Sequence, residues 1–293
     1  MPDRPRFGPA GIPYNFKQLK APTSELPSFL RDEGLDALEY EAVRWGQKPQ
    51  INHEEANKLG ANAAKHDVWL TMHSSYYINL LSSPETVEAS KKRLLATAQA
   101  AKWMQAHTIA FHPGYYTRKQ SHTKDLQDCK RALGEVVAIM WQTNVEANLG
   151  PETSGKLSQL GSLEEILTIC ESVEQTQPVI DWAHLHARQR GSLRTADDFQ
   201  KVVETVEKRL GTEAAKNLHC HFSHIEYTFR GERRHHPLEA LGYGPKFEPL
   251  AEIIIDQGLT PVIISETPFT DEDAKKMRDV IYRRMADKLA VLR

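Results

Sequence analysis

Carboxylates and imidazoles recur at the ends of short apolar runs. His73 closes VWLTMH, His112 closes HTIAFH, Glu152 closes ANLGPE and Glu266 closes PVIISE. Asp181 and His184 lie in PVIDWAH, and His219 and His221 in NLHCHFS. One such residue alone reads as an ordinary core group. Six runs of this kind are different, because buried carboxylates and imidazoles are costly unless paired or ligated. Gathered in one place they would repel one another unless cations held them, so a multinuclear metal site is expected. The donors are nitrogen and oxygen, with no Cys. That suits zinc, and also manganese or iron, and disfavours a structural Cys-rich zinc site.

The elements that must carry these groups can be read from the pattern. Candidate strands are 6–12, 36–41, 68–73, 107–112, 147–152, 178–184, 217–223 and 261–266. Helical patterns lie between them at about 23–33, 53–66, 84–105, 123–142, 162–174, 195–209, 246–257 and 271–289. The clearest is 84–105, with Ser83 as N-cap, Pro84 at the first helical position and Glu85 in the first turn. Eight strand–helix units predict a (β/α)8 TIM barrel, one domain over 1–293, whose chemistry sits at the C-terminal strand ends. A doubly wound open sheet is the runner-up, but no GxGxxG follows an early strand. Side chains alternate along a strand, so 219, 221 and 223 share one face and Cys220 and Phe222 the other. His221 lies nearer the C-terminal end and is the better ligand. His219 is expected in the layer beneath it.

Composition excludes several classes. The chain has 293 residues, with 37 Lys+Arg against 39 Asp+Glu and a net charge of −2. That is no globally basic nucleic-acid binder, although a local basic groove would suffice. Hydrophobic residues make up 40 %, enough for an ordinary soluble core without staples. Cys129, Cys170 and Cys220 stand in no CxxC spacing and read as reduced packing residues. MPDRPRFGPAG has no apolar signal region, and no run is long enough to cross a membrane, so a cytoplasmic location is expected.

HSSYYINL (73–80), FHPG (111–114), ETSGKLSQLG (152–161), IDWAH (180–184), HFSH (221–224), RHH (234–236) and SET (265–267) resemble, in order, the motifs of the endonuclease IV family. These are metal-dependent apurinic/apyrimidinic endonucleases (family 2) on a xylose isomerase-like barrel. The resemblance implies three ions, usually zinc. His73 and His112 would hold the first, and Glu152 would bridge to a second completed by Asp181, His221 and Glu266. His184 and His235 would hold the third. Glu146, in TNVEANLG, competes with Glu152 as the bridge; Glu152 is preferred because the family-like tail follows it.

Two departures stand out. The family places an Asp two residues before the third-site His, where this chain has Arg233; Glu232, three residues before His235, is expected to substitute. Bacterial members carry an Arg after the second strand that pushes into DNA. Here that loop reads EYEAVRWGQKP, leaving Arg44 or Trp45 for the role. Tyr76 matches the tyrosine that lies against DNA.

The expected activity is hydrolysis of a phosphodiester 5′ to an abasic site in double-stranded DNA, leaving a 3′-hydroxyl, as in base excision repair. Glu152, Asp181 and Glu266 are the expected catalytic carboxylates. Arg118, Lys119, Lys156, Arg188, Arg190, Arg230 and Arg234 are candidate phosphate contacts at the rim. No obligatory protein partner is expected. The alternative is a sugar isomerase or epimerase on the same scaffold.

Overall fold

The computed structural model describes residues 1–117 and 119–291. The chain alternates strand and helix: β1 (Arg6–Pro9), α1 (Leu26–Asp32), β2 (Ala37–Glu41), α2 (His53–Lys65), β3 (Trp69–His73), α3 (Pro84–Met104), β4 (Thr108–Phe111) and α4 (His122–Gln142). It continues with β5 (Asn148–Pro151), α5 (Leu163–Ser172), β6 (Val179–Asp181), α6 (Ala196–Leu210), β7 (His219–Phe222), α7 (Glu248–Asp256), β8 (Val262–Ser265) and α8 (Thr270–Val291). Local signals start the helices where expected. Asn52, Ser83, Ser121 and Ser162 each accept a backbone amide at a helix start, and Ser162 forms a reciprocal capping box with Glu165.

The strands run parallel in two hydrogen-bonded sets, β2-β3-β4-β5 and β1-β8-β7-β6. Parallel bridges join Ala10 to Glu39 and Glu152 to Val179, which closes the circle into a (β/α)8 barrel. Closure at β1 and β2 depends on Gly8, because a Cβ there would sit 1.8 Å from the Ala37 carbonyl oxygen. Most of the apolar core lies between strands and helices, with Phe7, Leu38, Met72, Phe111, Phe222 and Ile263 fully or almost fully buried.

Register then decides which side chains face the barrel interior. Paired residues of parallel neighbours point the same way. Glu39 pairs with Thr71, Glu41 with His73, Ala110 with Gly150, and Asp181 and Ile264 with His221. With a period of two, one face of the sheet therefore presents Glu41, His73, His112, Glu152, Asp181, His221 and Glu266 at the C-terminal end. Glu39, Thr71 and His219 form the layer beneath.

The expected strand over 178–184 stops at Asp181. Trp182–Arg188 is a short helix, because Asp181 caps it. Two further pairings lie outside the eight expected units. Gly114–Tyr115 pairs with Gln159–Leu160, and an antiparallel hairpin of His224–Thr228 and Gly231–His236 stands over the mouth. Short helices also form at Tyr14–Leu19 and Thr212–Lys216. Among the described residues, no helix is long and apolar enough to cross a membrane. All three cysteines are free thiols.

Candidate metal centre

Glu152 is the hub of the mouth. It is fully buried, and its two oxygens face different neighbours. Oε2 lies 3.2 Å from His73 Nε2 and 3.6 Å from His112 Nε2. Oε1 lies 3.1 Å from His184 Nδ1 and 3.4 Å from His221 Nδ1. His221 Nδ1 is also 3.2 Å from Glu266 Oε1. Among the described residues, three sets of potential ligand atoms at the mouth each fit within 4.8 Å: His73, His112 and Glu152; Glu152, Asp181, His221 and Glu266; and Asp181, His184, His235 and Glu266; a fourth, Glu39, His219 and His221, reaches into the layer beneath. The mouth sets share Glu152, Asp181 and Glu266, so they form one connected centre.

Backbone geometry presents these groups. His73 Nδ1 donates to the Ser74 carbonyl at 2.8 Å, turning Nε2 toward Glu152. Asp181 Oδ1 accepts the His184 amide at 2.6 Å as the N-cap of the short helix, which leaves Oδ2 for the site. Ser223 Oγ lies 2.9 Å from His235 Nδ1, and His235 Nε2 lies 3.2 Å from His184 Nε2.

The electrostatics are those of a site that wants cations. Burial opposes charge on His73, but the hydrogen bond to Glu152 and the surrounding carboxylates push its pKa up to about 9. Burial also opposes charge on His184 and His221, and carboxylates again prevail, holding both well above the usual imidazole value. Burial pushes Glu266 up to about 8, with Glu152 and Asp181 adding to the effect against His221. Burial brings His112 down to about 4. The carboxylates thus favour positive charge on His73, His184 and His221. Buried atoms without a hydrogen-bond partner include Glu152 Oε1, Asp181 Oδ2, His112 Nδ1 and both His221 ring nitrogens. Unpaired buried donors and acceptors are expensive. An all-nitrogen-and-oxygen set of this kind fits zinc or a similar divalent ion.

The hairpin fixes where Arg233 and Glu232 lie, although Glu232 falls outside the sets of atoms that fit within 4.8 Å. Tyr227 pairs with Glu232 and Glu226 with Arg234, so Arg233 is the extra residue of a β-bulge. Without the bulge, Arg233 would share a face with His235. With it, Glu232 takes that face, and Arg233 turns out to Glu226 at 2.6 Å. Glu232 Oε2 comes within 3.4 Å of His184 Nε2, while Oε1 faces Lys156 Nζ at 3.4 Å. Burial works against its charge, but His184 and Lys156 hold its carboxyl below the usual range. Gly155 makes the approach possible, since a Cβ there would lie 2.6 Å from Glu232 Cβ.

The remaining expected residues divide between the mouth and the rims. Glu146 is exposed at the opposite rim, before β5. Tyr76 is 58 % exposed, with its ring edge-on to His73, and its amide donates to Val43 in the loop that carries exposed Arg44. Trp45 is buried against Tyr40 and unavailable to any ligand. Arg188 is not a free rim cation. Its guanidinium donates to the carbonyls of Ser154, Lys156 and Gln159 and braces the loop after β5. Lys119, Arg190, Arg230 and Arg234 are exposed, Arg230 over the Phe229 ring. Arg118 lies outside the described residues. Sequence reasoning missed Glu39 and Glu41. The signal was there, in the alternation Ala37, Glu39, Glu41 along β2.

A closed parallel barrel with carboxylates and imidazoles gathered at its C-terminal mouth defines a class. Residues 27–284 match the Xylose isomerase-like TIM barrel family, and the chain belongs to it. Within that family it is 32 % identical over 273 residues to an uncharacterized protein of Methanocaldococcus jannaschii, covering 92 % of this chain and 93 % of the other. It is 27 % identical over 218 residues to a probable endonuclease 4 of Bacillus subtilis, covering 71 % and 69 %. Endonuclease IV from Thermus thermophilus has the same fold, with a TM-score of 0.71 at 17 % identity over 97 % of this chain and all of that one. A D-tagatose 3-epimerase-like protein shares it with a TM-score of 0.63 at 18 % identity, over 98 % and 100 %.

Proposed function

We propose that this chain is a metal-dependent phosphodiesterase of the endonuclease IV type, acting on double-stranded DNA at abasic sites and cleaving 5′ to the lesion. The observation that carries the reading is the convergence of His73 and His112 on Glu152, beside the four-residue set of Glu152, Asp181, His221 and Glu266. One ion would need only the four; the added imidazoles call for more. The similarity to a probable endonuclease 4 supports the same reading.

In this reading His73, His112 and Glu152 would hold a first ion, and Glu152, Asp181, His221 and Glu266 a second. His184 and His235, with Glu232, would hold a third. Zinc suits the donors, and manganese or iron are chemically compatible. When bound, such ions supply Lewis-acid charge that lowers the pKa of a water and offsets charge on the departing 3′ oxygen. The chain's own part is positioning. The Thr153 and Ser74 carbonyls orient the imidazoles of His184 and His73. Tyr76, exposed beside His73, offers a phenol and an aromatic face to the nucleotide at the lesion. Arg44, on the adjoining loop, and the exposed rim cations offer phosphate contacts. A lesion without its base costs least to extrude into such a pocket.

A sugar epimerase is the second reading. It is favoured by one observation, that Glu41 brings a further carboxylate to the mouth opposite His73. Incubation of purified, zinc-replete protein with an abasic-site duplex decides between them. Cleavage 5′ to the site that chelation abolishes is expected; an intact duplex with epimerised ketose would overturn the proposal.

A further inference from the structure

Beneath the mouth lies a polar layer that the chemistry above does not use. Glu39, on β2, is fully buried inside the barrel. A lone carboxylate at this depth would be prohibitively costly, so its partners matter. Oε2 lies 2.9 Å from His219 Nε2 and 3.2 Å from Thr71 Oγ1. Oε1 lies 3.0 Å from His221 Nε2. His221 therefore has a carboxylate oxygen 3.0 Å below one ring nitrogen, an ion-pair contact without hydrogen-bond alignment, while the other, Nδ1, faces Glu152 at 3.4 Å and Glu266 at 3.2 Å.

We infer that Glu39 is a positioning residue for the metal centre: its carboxylate holds His221 with Nε2 turned into the barrel, so that Nδ1 is the atom offered to a cation. The inference rests on the reading of His221 as a ligand. A carboxylate behind a ligating imidazole fixes the tautomer and ring orientation and makes the ligand more basic. A purely structural carboxylate would need only His219 and Thr71. Glu39 instead divides its two oxygens between a histidine of its own layer and a histidine of the layer above. A cation lodged among Glu39, His219 and His221 is the competing reading. Each oxygen already lies within 3.0 Å of an imidazole nitrogen, and the zinc titration below separates the two readings.

The test is a titration with Zn2+ alone, under chelator competition, of the wild type, Glu39→Gln and His219→Gln. Wild-type protein that binds no zinc would defeat the metal centre itself, an outcome separate from any difference between wild type and variants. Glu39→Gln leaves one oxygen and presents an amide N–H to an imidazole N–H, so one ion should weaken about 10–100-fold with the others unchanged. His219→Gln, which leaves the contact to His221, should keep wild-type affinities. Equal zinc affinities for wild type and Glu39→Gln overturn the inference, as does loss of a further ion from both variants. If Glu39→Gln does not fold, 15N-histidine NMR of the zinc-loaded wild type still decides. His221 protonated at Nε2 and metal-bound at Nδ1 is expected, and His221 bound through Nε2 overturns it.

Discussion

Asp181 Oδ1 accepts the backbone amide of His184 at 2.6 Å, so the two ends of a DxxH pair are joined by a helix cap. The spacing is that of an N-cap and the third residue of the helix it starts. One carboxylate thus sets the direction of the chain with one oxygen and faces the site with the other.

Those two duties can be separated. Asparagine caps a helix about as well as aspartate, but it is a neutral and poor ligand. With metal removed by chelator, Asp181→Asn should therefore keep the wild-type unfolding midpoint, while in metal-replete buffer it should bind less metal. Asp181→Ala should lose metal and also about 1 kcal/mol of stability. Equal metal content in wild type and Asp181→Asn, measured by elemental analysis, would remove Asp181 from the ligand set.

Glu152 and Glu146 make a matched pair. Glu152→Gln should empty the first two sites and stop cleavage, because one carboxylate serves both. Glu146 is exposed at the far rim, and Glu146→Gln should leave metal content and rate unchanged. The reverse result would place the bridge at Glu146.

The bulge gives a sharper test. Glu232→Gln should cost one ion. Deleting Arg233 should not, because ERRHH becomes ERHH and regular alternation keeps Glu232 and His235 on one face. Loss of the third ion from the deletion variant, with its fold intact by circular dichroism, would refute the bulge argument.

Duplex binding should fall with salt. Each phosphate contact contributes about −0.9 to the slope of log affinity against log salt on B-DNA. Binding isotherms with a slope flatter than that of one contact would favour the sugar-epimerase reading.

His186 makes stability depend on pH. Its Nδ1 accepts the Leu193 amide at 3.2 Å, and burial, with Arg194 nearby, brings its pKa down to about 4 from 6.5. Between those values the unfolded chain takes up a proton that the folded chain refuses, so stability rises with pH. The contribution is full above about 6.5 and is lost as pH falls toward 4, at most about 3 kcal/mol. Denaturation midpoints of His186→Gln should show a shallower fall over this range; identical slopes would refute the assignment.

The barrel was legible because its strands are short apolar runs, most of them ending in a polar group, and its helices begin at capping residues such as Ser83 and Ser162. Their boundaries match the expected ones to within about three residues at nearly every end. What the sequence hid is what depends on pairing across the chain. Glu39 alternates correctly with Leu38 and Tyr40, yet its partners His219 and His221 lie 180 residues or more away. The bulge at Arg233 is a property of two strands together, and residues 231–236 alone do not reveal it. Arg188 reads as a rim cation in the sequence because its loop-bracing acceptors are backbone carbonyls, which composition cannot show.

The hairpin over the mouth carries Glu232 and His235 on an arm outside the barrel's register, while the other groups are bound to strands whose alternation fixes them. Strand ligands cannot shift by one residue without turning away from the mouth. The arm can gain or lose a residue and restore its inward face with a bulge. A one-residue change in a barrel strand would therefore turn its mouth groups away, whereas the same change in the arm is absorbed by a bulge that swaps which side chain it offers and leaves the wall beneath undisturbed.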